Sequence, residues 1–145
     1  MATWLTSPFE SNESGNLVMG SVRKDVENFM SNPRYKYRVD VHWKYTAGVH
    51  GMPSDSDSEL MEQVEDALTN TFSKDPVAVL TGVYTGEGMR DLVFYTLSLH
   101  IFQRKFNEAL AAFPPLPLAF EAEEDPEWEE YTQMLSIAKA DEETD

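Results

Sequence analysis

The sequence predicts an α+β protein of the ferredoxin-like, split βαβ type. In that arrangement helices cover one face of a four-stranded antiparallel sheet, here followed by a C-terminal helix. Three observations carry this reading. Residues 35–45 alternate strictly between apolar and polar side chains, the period of a half-buried strand. Two later segments, around Leu60–Phe72 and Ile101–Phe113, repeat apolar residues at helical spacing,. Between them, Gly86-Glu87-Gly88 separates two apolar runs and marks a hairpin,.

The chain has 145 residues, 41% hydrophobic and 12% aromatic. That suits one domain over 1–145, able to bury about two thirds of the unfolded chain's surface. Met1 to Ser14 mixes Ser, Glu, Asn and Pro and is expected to be loosely ordered. Its Asn12-Glu13-Ser14 matches a glycosylation sequon only formally, since no export signal precedes it,. Leu17 to Val22 reads as a short strand, and Val26, Phe29 and Met30 as a short helix stopped at Asn32-Pro33,.

A βαββαβ core is expected over 35–124. Tyr35, Tyr37, Val39, Val41, Trp43 and Tyr45 form the buried face of its first strand. Lys36, Arg38, Asp40, His42 and Lys44 form a face turned to water, so the sheet is expected to be covered on one side only,. After a loop with Gly48, Gly51 and Pro53, Ser56 and Glu59 have capping-box spacing,. Leu60, Val64, Ala67, Leu68, Thr71 and Phe72 then share a helical face, ended by Lys74-Asp75-Pro76.

Val77–Thr85 and Met89–Leu97 are the hairpin strands. Ser98 is placed to cap the next helix, which Pro114-Pro115 stops,. Leu116–Ala122 reads as the last strand. Pro126 suits the first turn of a terminal helix over 125–137 that carries Trp128, Tyr131, Met134 and Leu135,. The acidic tail, 138–145, is expected to fray.

Net charge is −15 and unevenly spread: +1 over residues 1–54, −6 over 55–120 and −10 over 121–145. Such a field repels phosphate backbones and anionic lipid. It excludes nucleic acid and membrane as expected partners and leaves two readings, a basic protein partner or solubility alone. The chain has no cysteine, which removes disulfides, thiol catalysis, zinc ribbons and iron–sulfur clusters. No stretch approaches the roughly 18–20 apolar residues of a membrane helix. The expected location is the cytoplasm.

No motif assigns a catalytic, cofactor-binding or metal-binding residue. Asp55, Asp57 and Glu59 resemble the start of a calcium loop, but Leu60 stands where such a loop needs glycine,. A capped helix start accounts for the same residues. His42, His50 and His100 are scattered, with no i, i+4 pair for zinc,. There is no nucleophile elbow, phosphate loop or dinucleotide fingerprint, and no cofactor is expected.

Arg90-Asp91 is more informative. Adjacent strand residues point to opposite faces, so Arg90 is expected to pair with Glu127 or Asp125 and pin the last helix to the sheet. Trp128 and Tyr131 share a helical face and are expected to pack on the sheet. An exposed pair would instead anchor a partner. The candidates for partner or ligand binding are Arg90, Asp91, Tyr95, Glu127, Trp128 and Tyr131. The basic face at Lys36, Arg38, His42 and Lys44 lacks the aromatics that stack RNA bases, and is expected to pair with the chain's own acidic tail.

Two segments carry a family resemblance. In the hairpin these are Gly82, Thr85, Gly88, Arg90-Asp91 and Phe94-Tyr95, and near the end Asp125, Trp128 and Tyr131. With these residues the chain resembles the bacterial family known as domain of unknown function 695. The chain has Ser136-Ile137 where the family often has Tyr-Pro. The resemblance implies a ferredoxin-like α+β fold and no particular activity. A more distant similarity is to regulator of ribonuclease activity B, an acidic protein that inhibits a ribonuclease by binding it.

The function expected is therefore that of a non-enzymatic acidic module, an inhibitor or regulator of a basic partner, with a toxin-neutralising immunity protein as one form. The alternative is a small-molecule binder or enzyme with a pocket near Arg90 and Trp128. The oligomeric state is not expressed in the sequence.

Overall fold

In the computed structural model, which describes residues 4–10, 17–48 and 51–143, ten elements follow one another along the chain. They are β1 (Trp4–Glu10), β2 (Leu17–Arg23), α1 (Glu27–Met30), β3 (Tyr37–Lys44), α2 (Asp55–Lys74), β4 (Ala78–Gly86), β5 (Met89–Thr96), α3 (Leu99–Ala109), β6 (Leu118–Glu124) and α4 (Glu129–Glu143). All six strands join one antiparallel sheet in the order β1-β2-β4-β5-β3-β6. The expected sequon and His50 lie outside the described residues.

Within that order, β4-β5-β3-β6 is what two interleaved split βαβ units produce,. The sheet nevertheless has six strands, not four. The stretch expected to be loosely ordered contributes β1, which pairs with β2, and β2 extends the sheet by pairing with β4. Period two is weak in Trp4-Leu5-Thr6-Ser7-Pro8, so the strand is made by its neighbour more than by its own pattern. Pro8 is tolerated because β1 is an edge,.

The sheet is covered on both faces, which corrects the expectation of one covered side. On the first face, Val39, Val41 and Trp43 of β3 meet Leu80, Val83, Leu92 and Phe94 beneath Met61, Val64, Leu68 and Phe72 of α2 and Phe102 and Phe106 of α3. Phe94 is the centre of an aromatic cluster, with ring centroids 5.7 Å from Phe72, 5.1 Å from Phe102 and 6.3 Å from Phe106. Edge-to-face pairs of this kind add about 0.5–1.5 kcal/mol each beyond area burial. On the second face, α4 brings Trp128, Tyr131 and Ala138 onto Leu5, Val22, Val79, Val93 and Tyr95.

Local chemistry explains the element ends. The β4–β5 loop is Glu87-Gly88, with φ of 56° and 80° and Gly86 opposite Met89. Positive φ at both central residues is the type I′ hairpin turn, whose twist matches that of the strands. A register shift between Leu80 and Gly82 marks a bulge. A Cβ on Gly82 would stand 2.7 Å from the Tyr84 hydroxyl, so only glycine fits beside that ring without rearrangement.

Ser98 caps α3 as expected, accepting a hydrogen bond from the Ile101 N–H at 3.2 Å. The cap of α2 is Ser54, which accepts from the Asp57 N–H at 3.2 Å. Ser56, the expected cap, already lies inside the helix. The terminal helix runs Glu129–Glu143, later at both ends than expected. No helix among the described residues is long and apolar enough to cross a membrane.

The cap assignment is testable. Ser54→Ala is expected to lower the unfolding free energy by about 1 kcal/mol. Ser56→Ala, inside the helix, should leave it unchanged or raise it by up to about 0.5 kcal/mol, since Ala is the better helix former. Urea denaturation of the two variants distinguishes them, and the reverse order would return the cap to Ser56.

Candidate functional site

The residues singled out by the hairpin and terminal motifs fall into two separate settings. Arg90 lies on the face covered by α2, directly opposite Trp43 in the ladder. Its guanidinium donates to the Glu65 carboxylate at 2.9 Å and to the Thr85 hydroxyl at 2.8 Å. The expected pairing with Glu127 or Asp125 is thus corrected: Arg90 pins α2, not α4. It borders a cleft of about 470 Å3 between α2 and the β1–β2 ribbon, lined also by Trp4, Met19 and Ser58.

Asp91, Tyr95, Trp128 and Tyr131 belong to the opposite face. The indole of Trp128 stacks on Tyr95 at 4.0 Å and donates its Nε1–H to the Tyr35 carbonyl at 2.8 Å. The Tyr131 hydroxyl donates to the Arg23 carbonyl at 2.6 Å. Trp128 and Tyr131 are buried, so they pack on the sheet as expected and do not form an exposed anchor. Arg90 and Trp128 stand on opposite faces, so one pocket cannot be lined by both. Glu127 is exposed in the turn before α4.

Asp125 organises this second setting. Its backbone N–H donates to the Lys36 carbonyl at 2.7 Å. Its carboxylate accepts from the Tyr95 hydroxyl at 2.6 Å and from the Glu129 and Glu130 amides at 2.9 and 3.2 Å. The Tyr95 oxygen in turn accepts from the Tyr131 N–H at 3.3 Å. A carboxylate on the first amides of a helix is favoured by the helix dipole as well as by the bonds themselves.

Burial opposes the Asp125 charge, but the Tyr95 bond, the two amides and nearby Arg38 outweigh it and hold its pKa below the usual range. Tyr95 is pushed strongly upward by burial and by its bond to Asp125. It stays a neutral donor at any ordinary pH. Trp128 is drawn into a left-handed conformation, φ 54°, an unusual state for a bulky residue that its N–H bond to the Asp125 carbonyl at 3.0 Å helps to hold.

Beside this anchor the even face of β3 carries the charges. Arg38 contacts Asp40 at 3.2 Å, Glu123 at 3.0 Å and Asp125 at 3.7 Å. His42 binds Asp91 through Nδ1 at 2.6 Å and faces Glu121 through Nε2 at 3.6 Å. The Asp91 bond raises the His42 pKa, burial works against it, and the Asp91 and Glu121 charges add to the rise. Both ring nitrogens are therefore held by carboxylates. A general base needs one of them turned toward a substrate.

Glu130, at the start of α4, has its pKa raised to about 7 by burial foremost, with Asp40 and Asp125 adding to the rise and Arg38 opposing it. Tyr84 is pushed upward by burial and by Glu130, Asp40 and Tyr131. No motif or spacing in the sequence marks Glu130 or Tyr84 as a site residue. The alternation along β3 did mark Arg38 and His42 as one face, and pairing within the chain holds, though with β5 and β6 in place of the tail.

The fold and this site define an acidic α+β protein whose antiparallel sheet is bracketed by helices and locked by an Asp–Tyr–Trp anchor. Residues 9–136 match the family model described as a family of unknown function, DUF695, and the chain belongs to that family. No curated protein and no solved structure matches the chain significantly. The motif residues behind the family resemblance are, in this structure, those that build the hairpin turn, hold α2 and fasten α4.

Two predictions follow from the anchor and its neighbours. Tyr95→Phe removes the donor to Asp125 and the acceptor of the Tyr131 amide. It should lower the unfolding free energy by about 1–3 kcal/mol, as a shift of the urea midpoint. An unchanged midpoint would show that the anchor is dispensable.

Glu130 has a raised folded pKa, so the folded state holds its proton while the unfolded state loses it. Its unfavourable contribution is absent below pH 4.5, grows up to about pH 7 and is constant above,. Glu130→Gln should therefore stabilise the protein by about 2 kcal/mol at pH 8 and by little at pH 4, in paired melts at the two pH values.

Proposed function

We propose that the protein is a non-enzymatic acidic module that binds a basic partner protein in the bacterial cytoplasm, as an inhibitor or regulator of that partner. One observation carries the reading. Residues 121–130 include seven acidic residues and no basic one. Five of them, Glu121, Glu123, Glu124, Glu127 and Glu129, are exposed along β6 and the turn into α4. Arg38 and His42 reach two of them, Glu123 at 3.0 Å and Glu121 at 3.6 Å, and share themselves with Asp40 and Asp91, so seven acids against these two cations leave the rim an excess of negative charge. Such a surface steers and selects a positively charged partner.

The chemistry of the anchored face supports a binding role over catalysis, because its His, Asp and Tyr groups bond to one another. A toxin-neutralising immunity protein is one form of the proposal. The small-molecule alternative is confined to the cleft beside Arg90, whose guanidinium is committed to Glu65 and Thr85.

Capture from native lysate at low and high salt, followed by mass spectrometry, tests the proposal. A stoichiometric basic partner should be retained at low salt, lost at high salt, and released by the triple variant Glu121→Lys, Glu124→Lys, Glu127→Lys. Absence of any partner at both salts, or a partner indifferent to the triple variant, would sink the proposal.

A further inference from the structure

The two edges of the sheet differ. β1 at one end carries Pro8, a residue that blocks strand addition. β6 at the other end, Leu118-Ala119-Phe120-Glu121-Ala122-Glu123-Glu124, contains no proline. Two backbone bonds set the phase of its ladder with β3: the Asp125 N–H donates to the Lys36 carbonyl, and the Lys44 N–H donates to the Pro117 carbonyl. The register is unbroken between them. Antiparallel ladders alternate, so Ala119, Glu121 and Glu123 bond to β3. Phe120, Ala122 and Glu124 turn their N–H and C=O groups to the open edge, whereas the Leu118 N–H is taken by the Leu116 carbonyl at 2.8 Å and leaves only its C=O there.

The side chains beside that edge also alternate. Phe120 and Ala122 point to the α3 side, where with Leu99, Phe102 and Phe106 they line an apolar groove of about 250 Å3. Phe120 is 51% exposed, and it and Leu99 are two of the five large apolar side chains exposed among the described residues. Glu121 and Glu123 point to the other side and are 75% and 63% exposed. A second copy of this chain is a poor occupant. Face-matched pairing of β6 with itself sets these glutamates against each other, which is destabilising, and each copy carries −15.

We propose that the β6 edge takes an extended segment of a partner protein as a seventh strand. That segment alternates apolar residues, seated in the groove beside Phe120, with Lys or Arg placed beside Glu121 and Glu123. Main-chain bonds to residues 120, 122 and 124 and to the Leu118 carbonyl supply affinity, and the two faces supply selectivity. This rests on the proposed function above and names its surface and mode.

The probe is a capped nine-residue peptide alternating Lys with Val and Phe, titrated into the full chain at low salt and followed by amide NMR shifts and hydrogen exchange. A block peptide of the same composition and an alternating peptide with Ser in place of Lys serve as comparisons. The alternating basic peptide should bind at least about tenfold more tightly than either, and should slow exchange at Phe120 and Ala122. Ala122→Pro removes an outward N–H and no ladder bond. It should abolish that protection while leaving the melting temperature in place. Phe120→Lys, which puts a cation in the groove, is the second variant should the proline disturb the fold.

Equal binding of block and alternating peptides, lost at high salt, would overturn the strand mode and leave the acidic-partner reading standing. Equal binding of the Ser peptide would overturn the charge selection. No binding of any peptide would overturn the inference, as would self-association that Ala122→Pro removes.

Discussion

The hydrogen bond from the Tyr95 hydroxyl to the Asp125 carboxylate is the joint on which the rest of the molecule depends. Asp125 follows β6, bonds Lys36 just before β3 through its amide, and receives the first amides of α4. One residue thus sets the direction in which the chain leaves the sheet. Because the carboxylate is buried and charged, losing a donor leaves desolvated charge without compensation, which costs more than a surface bond gains. The indole of Trp128 closes the joint by stacking on Tyr95 and bonding Tyr35.

That joint makes the second core possible. Held in place, α4 lies over β1 and β2, and Leu5, Val22, Val79, Val93 and Tyr95 lose contact with water beneath it. Without α4 those side chains would face solvent, and the β1–β2 ribbon would have little reason to extend the sheet. A two-stranded ribbon is marginal alone and needs a packed face. The sheet therefore owes two of its six strands to a helix more than a hundred residues later in the chain.

Charge is handled by separation. The cations of β3 neutralise carboxylates on β5 and β6 close to the core, and Glu130 has its pKa shifted toward neutrality where no sufficient cation reaches it. Others lie in solvent, among them Glu124, Glu127 and Glu129 around the turn into α4 and Glu59, Glu62 and Asp66 along α2. The groups most able to do chemistry are thus engaged in holding the fold. An open strand edge, an apolar groove and an acidic rim stay exposed.

Local pattern alone was enough for much of this. Period two in β3, the helical stripes of α2 and α3, the glycine turn and the Ser98 cap depend on neighbours a few residues away, so they are legible in the sequence. So was the family, because the residues that build the hairpin and the anchor are written as short motifs. Strand order decided the rest. Adjacent positions place Arg90 and Asp91 on opposite faces in any strand, but only the sheet order shows that Arg90 faces Glu65 of α2 while Asp91 meets His42. The pairing of β1, the covering of the second face, the Tyr95–Asp125 joint and the open phase of β6 all join residues distant in the chain. Their physical cause is long-range burial and hydrogen-bond satisfaction, which no local period records.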